Sequence, residues 1–139
     1  MARSVIEYGL PWRWRTMAIA RLIRDDDTAV VVARERERIV GFGAVKFRFE
    51  ASIAHLLLLA VEPDRRRDGI GSELVAWFEK IARRAGIECI ALEVRAGSLG
   101  SHAFYEQLGF HTVKHLPGYY EHREDAIRMV WKLRRHPIV

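Results

Sequence analysis

Residues 55–61 (HLLLLAV) are apolar without the alternation of a half-solvated strand, so they read as a strand covered on both faces, at the centre of a sheet. The segment after this run constrains the rest of the chain. Past a turn at Glu62-Pro63-Asp64, the apolar positions Ile70, Leu74, Phe78 and Ile81 recur at helical spacing, and Gly86 stands where a C-terminal cap is expected. The spacing predicts a helix over residues 70–85. A central buried strand leading into an amphipathic helix requires a layered α/β architecture.

The remaining elements fit around this unit. Residues 28–34 (TAVVVAR) and 38–49 (RIVGFGAVKFRF) are β-branched or alternating runs separated by a short charged turn, which predicts an antiparallel hairpin. Residues 89–95 read as a strand, 100–108 as a short helix, and 110–116 and 126–133 as closing strands. Ahead of the hairpin, residues 5–8 read as a short strand and 12–24 as a helix, ended by the loop Asp25-Asp26-Asp27. The expected fold is one α/β domain over residues 1–139, with a mixed, mostly antiparallel central sheet and helices on both faces.

Composition narrows the function classes. Cys89 is the only cysteine, so no intramolecular disulfide and no cysteine zinc cluster is available. The N-terminal residues lack the apolar stretch of a secretory signal, and the longest apolar run, 56–61, is too short to span a bilayer. A soluble, cytoplasmic protein without membrane partners is expected. Lys plus Arg exceed Asp plus Glu by 23 − 18 = 5. That excess reads either as a solvated, arginine-rich surface or as attraction for anions. A nucleic-acid partner is disfavoured, because no recognisable motif accompanies the clusters Arg65 to Arg67 and Arg134-Arg135.

The segment Arg66-Arg67-Asp68-Gly69-Ile70-Gly71-Ser72 joins the buried strand to the helix. A helix start presents unsatisfied N–H groups and a partial positive charge, and glycines let phosphate oxygens approach the backbone. Two glycines alone are equally consistent with a tight turn. A Walker A loop is excluded because Ser72-Glu73 follows Gly71, and a dinucleotide fingerprint because Leu74 stands where its third glycine belongs.

Arg66-Arg67-Asp68-Gly69-Ile70-Gly71 resembles the Gln/Arg-x-x-Gly-x-Gly/Ala acyl-CoA signature of the GNAT acetyltransferase superfamily. The likeness continues through LEVRAGSLGSHAFYEQLGF (92–110). Gly118-Tyr119-Tyr120 and the later Glu124 to Met129 are similar to the ribosomal-protein-alanine branch and its N-terminal-acetylating relatives. The resemblance implies acetyl-CoA as acyl donor. The backbone of Leu59, Ala60 and Val61 would meet the pantetheine arm, and Arg66, Arg67, Asp68, Gly69, Ile70, Gly71 and Ser72 the pyrophosphate. Glu93 would be the general base and Tyr105 the general acid. The chain departs from these relatives at Ser98, where they usually carry an asparagine that bonds the cofactor or its loop, and at Ser101, where they carry alanine. The segment before Thr28 is also short.

Amide formation from a thioester needs a neutral amine, a polarised carbonyl and a proton for the departing sulfur. Glu93, mid-strand and sharing a face with Ala91 and Arg95, reads from spacing either as that base or as half of an ion pair. Tyr105 reads as a proton donor or as a core tyrosine. Trp12, Trp14, Tyr119 and Tyr120 are either walls of the acceptor site or packing residues, with Tyr119 and Tyr120 favoured for substrate contact because Gly118 places them on a loop. The six histidines read as surface or core residues, and no metal is expected. The expected acceptor is a protein or peptide N-terminus. A small-molecule amine and a non-catalytic acyl-CoA-binding module remain as alternatives, and a homodimer is compatible with each.

Overall fold

The β-branched hairpin and the buried run place themselves side by side. In the computed structural model, which describes residues 27–66, 68–120 and 123–133, strands β1 (Thr28–Glu35), β2 (Arg38–Arg48) and β3 (Ile53–Val61) follow one another antiparallel. Helix α1 (Ile70–Arg84) then leads to β4 (Cys89–Arg95), which lies parallel to β3. Helix α2 (Leu99–Leu108) follows, and β5 (His111–Tyr120) and β6 (Glu124–Lys132) close an antiparallel hairpin. Among the described residues the sheet has six strands in the order β1-β2-β3-β4-β6-β5, with β3–β4 the one parallel pair among them. The expected mixed, mostly antiparallel α/β sheet is therefore present. The expected strand at 5–8 and helix at 12–24, with Trp12 and Trp14, lie outside the described residues.

Helix α1 buries Ile70, Leu74, Val75, Phe78 and Ala82 along one stripe. It ends as Gly86 suggests: the Gly86 N–H donates to the Arg83 carbonyl and the Ile87 N–H to the Ala82 carbonyl, the two bonds of a Schellman cap. Phe78 and Val75 share one core cluster with Leu92 and Val94 of β4, Met129 of β6, and Phe104, Tyr105 and Leu108 of α2. The opposite face of β2 carries a second cluster, Phe42 with Val30, Val32, Leu58 and Ala60.

The last hairpin departs from expectation. Rather than ending at Leu116, β5 continues through Pro117 and Gly118 to Tyr120, so Tyr119 and Tyr120 sit on a strand and not on a loop. The register shifts between Leu116 and Tyr120, Gly118 adopts φ 61°, and its N–H donates to the Asp125 carboxylate at 2.8 Å. Proline is tolerated there because β5 is an edge strand.

Glycine sets how closely α1 approaches the sheet. A Cβ at Gly43 would stand 2.6 Å from the ring of Phe78, itself fully buried. Gly43→Ala must therefore displace Phe78, and overpacking of this kind costs about 1–3 kcal/mol. A melting-temperature drop of several degrees without loss of far-UV helix signal is the expected outcome, measured by thermal denaturation.

Candidate active site

Strands β3 and β4 are hydrogen-bonded neighbours only at their beginnings. Their register runs Ile53↔Cys89, Ala54↔Ile90 and His55↔Ala91, and stops. The cause lies on the other edge of β3. Ala44 of β2 pairs with Leu58 and Val45 with Leu56, which leaves Leu57 as the extra residue of a β-bulge. A bulge bends its strand and ends regular pairing. Beyond it the two strands diverge around a cleft of about 420 Å³, lined by Leu56 to Leu59, Leu92 to Arg95, Ser98, Ser101, Tyr105 and Tyr120.

Leu59, Ala60 and Val61 pair on one side with Gly43, Phe42 and Gly41, and their other edge lies past the last β3–β4 pair. An extended chain bearing amides fits such an edge, as an added strand would. At the end of β3, Arg66 Nε lies 3.4 Å from the Val61 carbonyl. Gly69 is the N-cap of α1 with φ 79°, a left-handed conformation that a side chain would strain, and no side chain caps the helix. A Cβ at Gly69 would meet nothing within 4 Å. The first turn of α1, from Ile70 through Ser72, thus opens with uncapped N–H groups beside an unobstructed backbone, which fits a pyrophosphate. Asp68 is exposed, and Arg67 lies outside the described residues.

Gly71 has a different setting. A Cβ there would stand 3.2 Å from the ring of Phe104 on α2, so this glycine serves the contact between the two helices. A bulkier residue at this position would report on packing as much as on phosphate access.

Leu92 and Val94 point into the core, which turns Glu93 to the other face of β4. There its carboxylate is surrounded by donors. Oε1 accepts from His55 Nε2 at 2.7 Å and lies 3.5 Å from the Tyr119 hydroxyl, and Oε2 accepts from Arg128 Nε at 2.9 Å. Burial alone would raise this carboxyl, but hydrogen bonds and charge from His55 and Arg128 outweigh it and hold the group below its ordinary value. The ion pair that spacing allowed for Glu93 exists, with Arg128 rather than Arg95. Arg95 instead pairs with Glu124 at 3.1 Å and covers the Tyr120 ring at 4.5 Å.

Tyr105 lines the same cleft from α2. Its ring packs edge-on against Phe104 and Phe110, while burial pushes its hydroxyl well above the usual phenol range. Packing and cleft-lining therefore coexist in one residue. Ser98 also lines the cleft, and its hydroxyl donates to that of Ser101 at 2.9 Å. Among the described residues, no group of three or more His, Cys, Asp or Glu converges as metal ligands would, and no helix is long and apolar enough to cross a membrane.

Sequence reasoning missed His55 and Arg128. Each is a polar residue inside an otherwise apolar strand, which is a visible signal. Only the register, with Glu93 directly opposite Arg128 and His55 on the neighbouring strand β3, reveals that they share one carboxylate.

Known proteins share this architecture. The chain is 35% identical over 102 residues to an uncharacterised N-acetyltransferase of Methanocaldococcus jannaschii, an alignment covering 73% of the chain and 64% of that relative. It is 38% identical over 79 residues to the [ribosomal protein bS18]-alanine N-acetyltransferase of Escherichia coli, covering 55% and 53%. The chain thus spans between about half and two thirds of these relatives' lengths. The crystal structure of the ribosomal-protein-S18-alanine N-acetyltransferase from Escherichia coli superposes with a TM-score of 0.79 at 25% identity, covering 97% of this chain and 84% of that one. Residues 3–110 match the model of the acetyltransferase (GNAT) family, and with that match over most of its length the chain belongs to this family.

Proposed function

We propose that residues 1–139 act as one cytoplasmic N-acetyltransferase domain that moves an acetyl group from acetyl-CoA to a primary amine, with a protein or peptide N-terminus as acceptor. The observation that carries this reading is the divergence of β3 from β4, which opens one cleft lined by both Glu93 and Tyr105, with His55 bonded to Glu93 and the uncapped start of α1 following the end of β3. The name of the Escherichia coli relative, an enzyme acting on the alanine of a ribosomal protein, supports the acceptor class.

Acetyl-CoA, when bound, supplies an acetyl group activated as a thioester. Ile70, Gly71 and Ser72 would hold its pyrophosphate through backbone N–H groups, with Arg66 adding charge, and the edge of Leu59 to Val61 its pantetheine arm. Glu93, held ionised, is a weak proton acceptor by itself. Its stronger contribution is to orient His55 through the 2.7 Å bond to Nε2, imidazole being the side chain suited to proton transfer near neutral pH. The pair acts together as the base that frees the amine. Tyr105 stays protonated across the physiological range and holds at its hydroxyl the proton that the departing sulfur needs. Tyr119, bonded to Glu93, and Tyr120, covered by Arg95, border the acceptor side.

Incubation with acetyl-CoA and separate panels of N-terminal peptides, internal-lysine peptides and small amines, read as free thiol, tests the assignment. Peptide α-amines should react best at neutral pH, since their pKa near ~8 lies well below that of lysine near ~10.4. Preference for small amines would reassign the acceptor, and binding without turnover would indicate a non-catalytic module.

Tyr105→Phe keeps the packed ring and removes the hydroxyl. Acetyl-CoA affinity should persist while kcat falls roughly 10²–10⁴-fold at every pH, as for a lost general acid. Because burial raises the Tyr105 pKa, the wild-type rate should show no alkaline decline from this group between about pH 7 and 9. Steady-state pH profiles check both statements.

Glu93→Gln should also spare acetyl-CoA binding, with a deficit that shrinks as pH rises and more of the amine is already neutral. The native carboxyl has a depressed pKa, so its contribution to stability is present above its unfolded value and is lost as pH falls through the lower folded one. Wild type and variant should therefore converge in stability in acid, as read by melting curves.

A further inference from the structure

The turn between β1 and β2 is a two-residue connection, Arg36-Glu37, with Arg36 in the left-handed region at φ 60°. That conformation is uncommon for a non-glycine residue and belongs to the tight two-residue hairpin connection itself. Ionic contacts flank the turn. Arg38, the first residue of β2, bonds the carboxylate of Glu62 just past β3, and the same guanidinium nitrogen lies 4.0 Å from Asp64. Arg65 reaches back in the other direction, bonding Glu35 at the end of β1 while lying 3.4 Å from Asp68. A backbone bond from the Glu62 N–H to the Val40 carbonyl, 2.8 Å, sits beneath the network. Glu62 is nearly covered, with 11% of its side chain exposed against 61% for Arg38. Glu35, Arg36, Glu37, Arg38 and Arg65 line one concave patch on this side of the molecule.

Both ends of the network bear on the segment that joins β3 to α1. Glu62, Asp64, Arg65 and Asp68 all lie on the short segment between the end of β3 and Gly69, the N-cap of α1. Three of these four are acidic, and they lie beside a helix start suited to an anion. Without partners, Asp64 and Asp68 would repel a diphosphate and each other, and the segment would have fewer reasons to keep one conformation.

We propose that Arg38 and Arg65 are positioning residues that fasten the β1–β2 turn to this segment and neutralise its carboxylates, so that the start of α1 is ready to receive the pyrophosphate of the acyl donor. The inference rests on the acetyl-CoA reading, and it assigns a donor-binding role to a hairpin turn that lies outside the acyl-CoA signature. Arg65, although part of the basic run 65–67, spends its charge on Glu35 and Asp68.

The consequence is selective for donors that carry a pyrophosphate. Arg38→Ala should raise KM for acetyl-CoA about three- to tenfold and leave kcat within about twofold. With S-acetyl-N-acetylcysteamine, a thioester that lacks the pyrophosphate, kcat/KM should match wild type. Coenzyme A binding, followed by calorimetry, should weaken by the same factor, and the exchanged pair Arg38→Glu with Glu62→Arg should recover part of it. An unchanged Kd for coenzyme A in Arg38→Ala overturns the proposal, as does an equal loss with both donors, which would mark a general structural role. Wild-type protein that neither binds coenzyme A nor turns over acetyl-CoA would instead remove the acyl-CoA reading, and this inference with it.

Discussion

The parting of β3 from β4 is the constraint on which the rest of the structure depends. Parallel neighbours in a sheet ordinarily exchange hydrogen bonds along their shared length, and here the exchange stops after His55↔Ala91 because Leu57 is bulged out of the β2–β3 ladder. The divergence leaves a backbone edge on β3 and opens the sheet between its two faces. Glu93 and Tyr105 consequently reach one cleft although the first emerges opposite the core cluster and the second from within it.

Around this opening the molecule is held by short-range steric fit and by charge. Gly43 lets α1 lie close to β2. Arg128 and His55 keep Glu93 ionised despite partial burial, which a lone carboxylate in that position would resist. The last hairpin, which carries Tyr119 and Tyr120, is fastened through Asp125, whose carboxylate accepts from the Gly118 N–H and lies 3.1 Å from His115.

Much of the architecture was legible in the amino-acid order. The unbroken apolar run of β3, the 3.6-residue stripe of α1 and Gly86 are strong local signals, and the elements they predict are present almost to the residue. The bulge at Leu57 was not legible, because four consecutive leucines conceal which one is surplus. The extension of β5 was hidden for a related reason: Pro117-Gly118 ordinarily marks a turn, and only the bond to Asp125 shows why the strand continues. At the site, Glu93 and Tyr105 were visible as residue types in context. The partners of Glu93 come from β3 and β6, and that proximity arises only when the sheet is assembled. The two serines that depart from the family pattern, Ser98 and Ser101, proved to be bonded to each other, a coupling that inspection of either position alone would not reveal.

The seat of Phe104 over Gly71 has a mechanical consequence. Helix α1 hangs from the end of β3 and α2 from the end of β4, so the ring that separates them acts as a spacer between the two walls of the opening. The width of the cleft between β3 and β4 is then gauged by an aromatic residue that does not line it. Variation in ring size at position 104, or the appearance of a methyl group at 71, would widen or narrow that gap while every polar group of the site stayed the same. Tolerance for longer acyl chains in this fold would in this way be adjustable from the helix interface, independently of the chemistry of transfer.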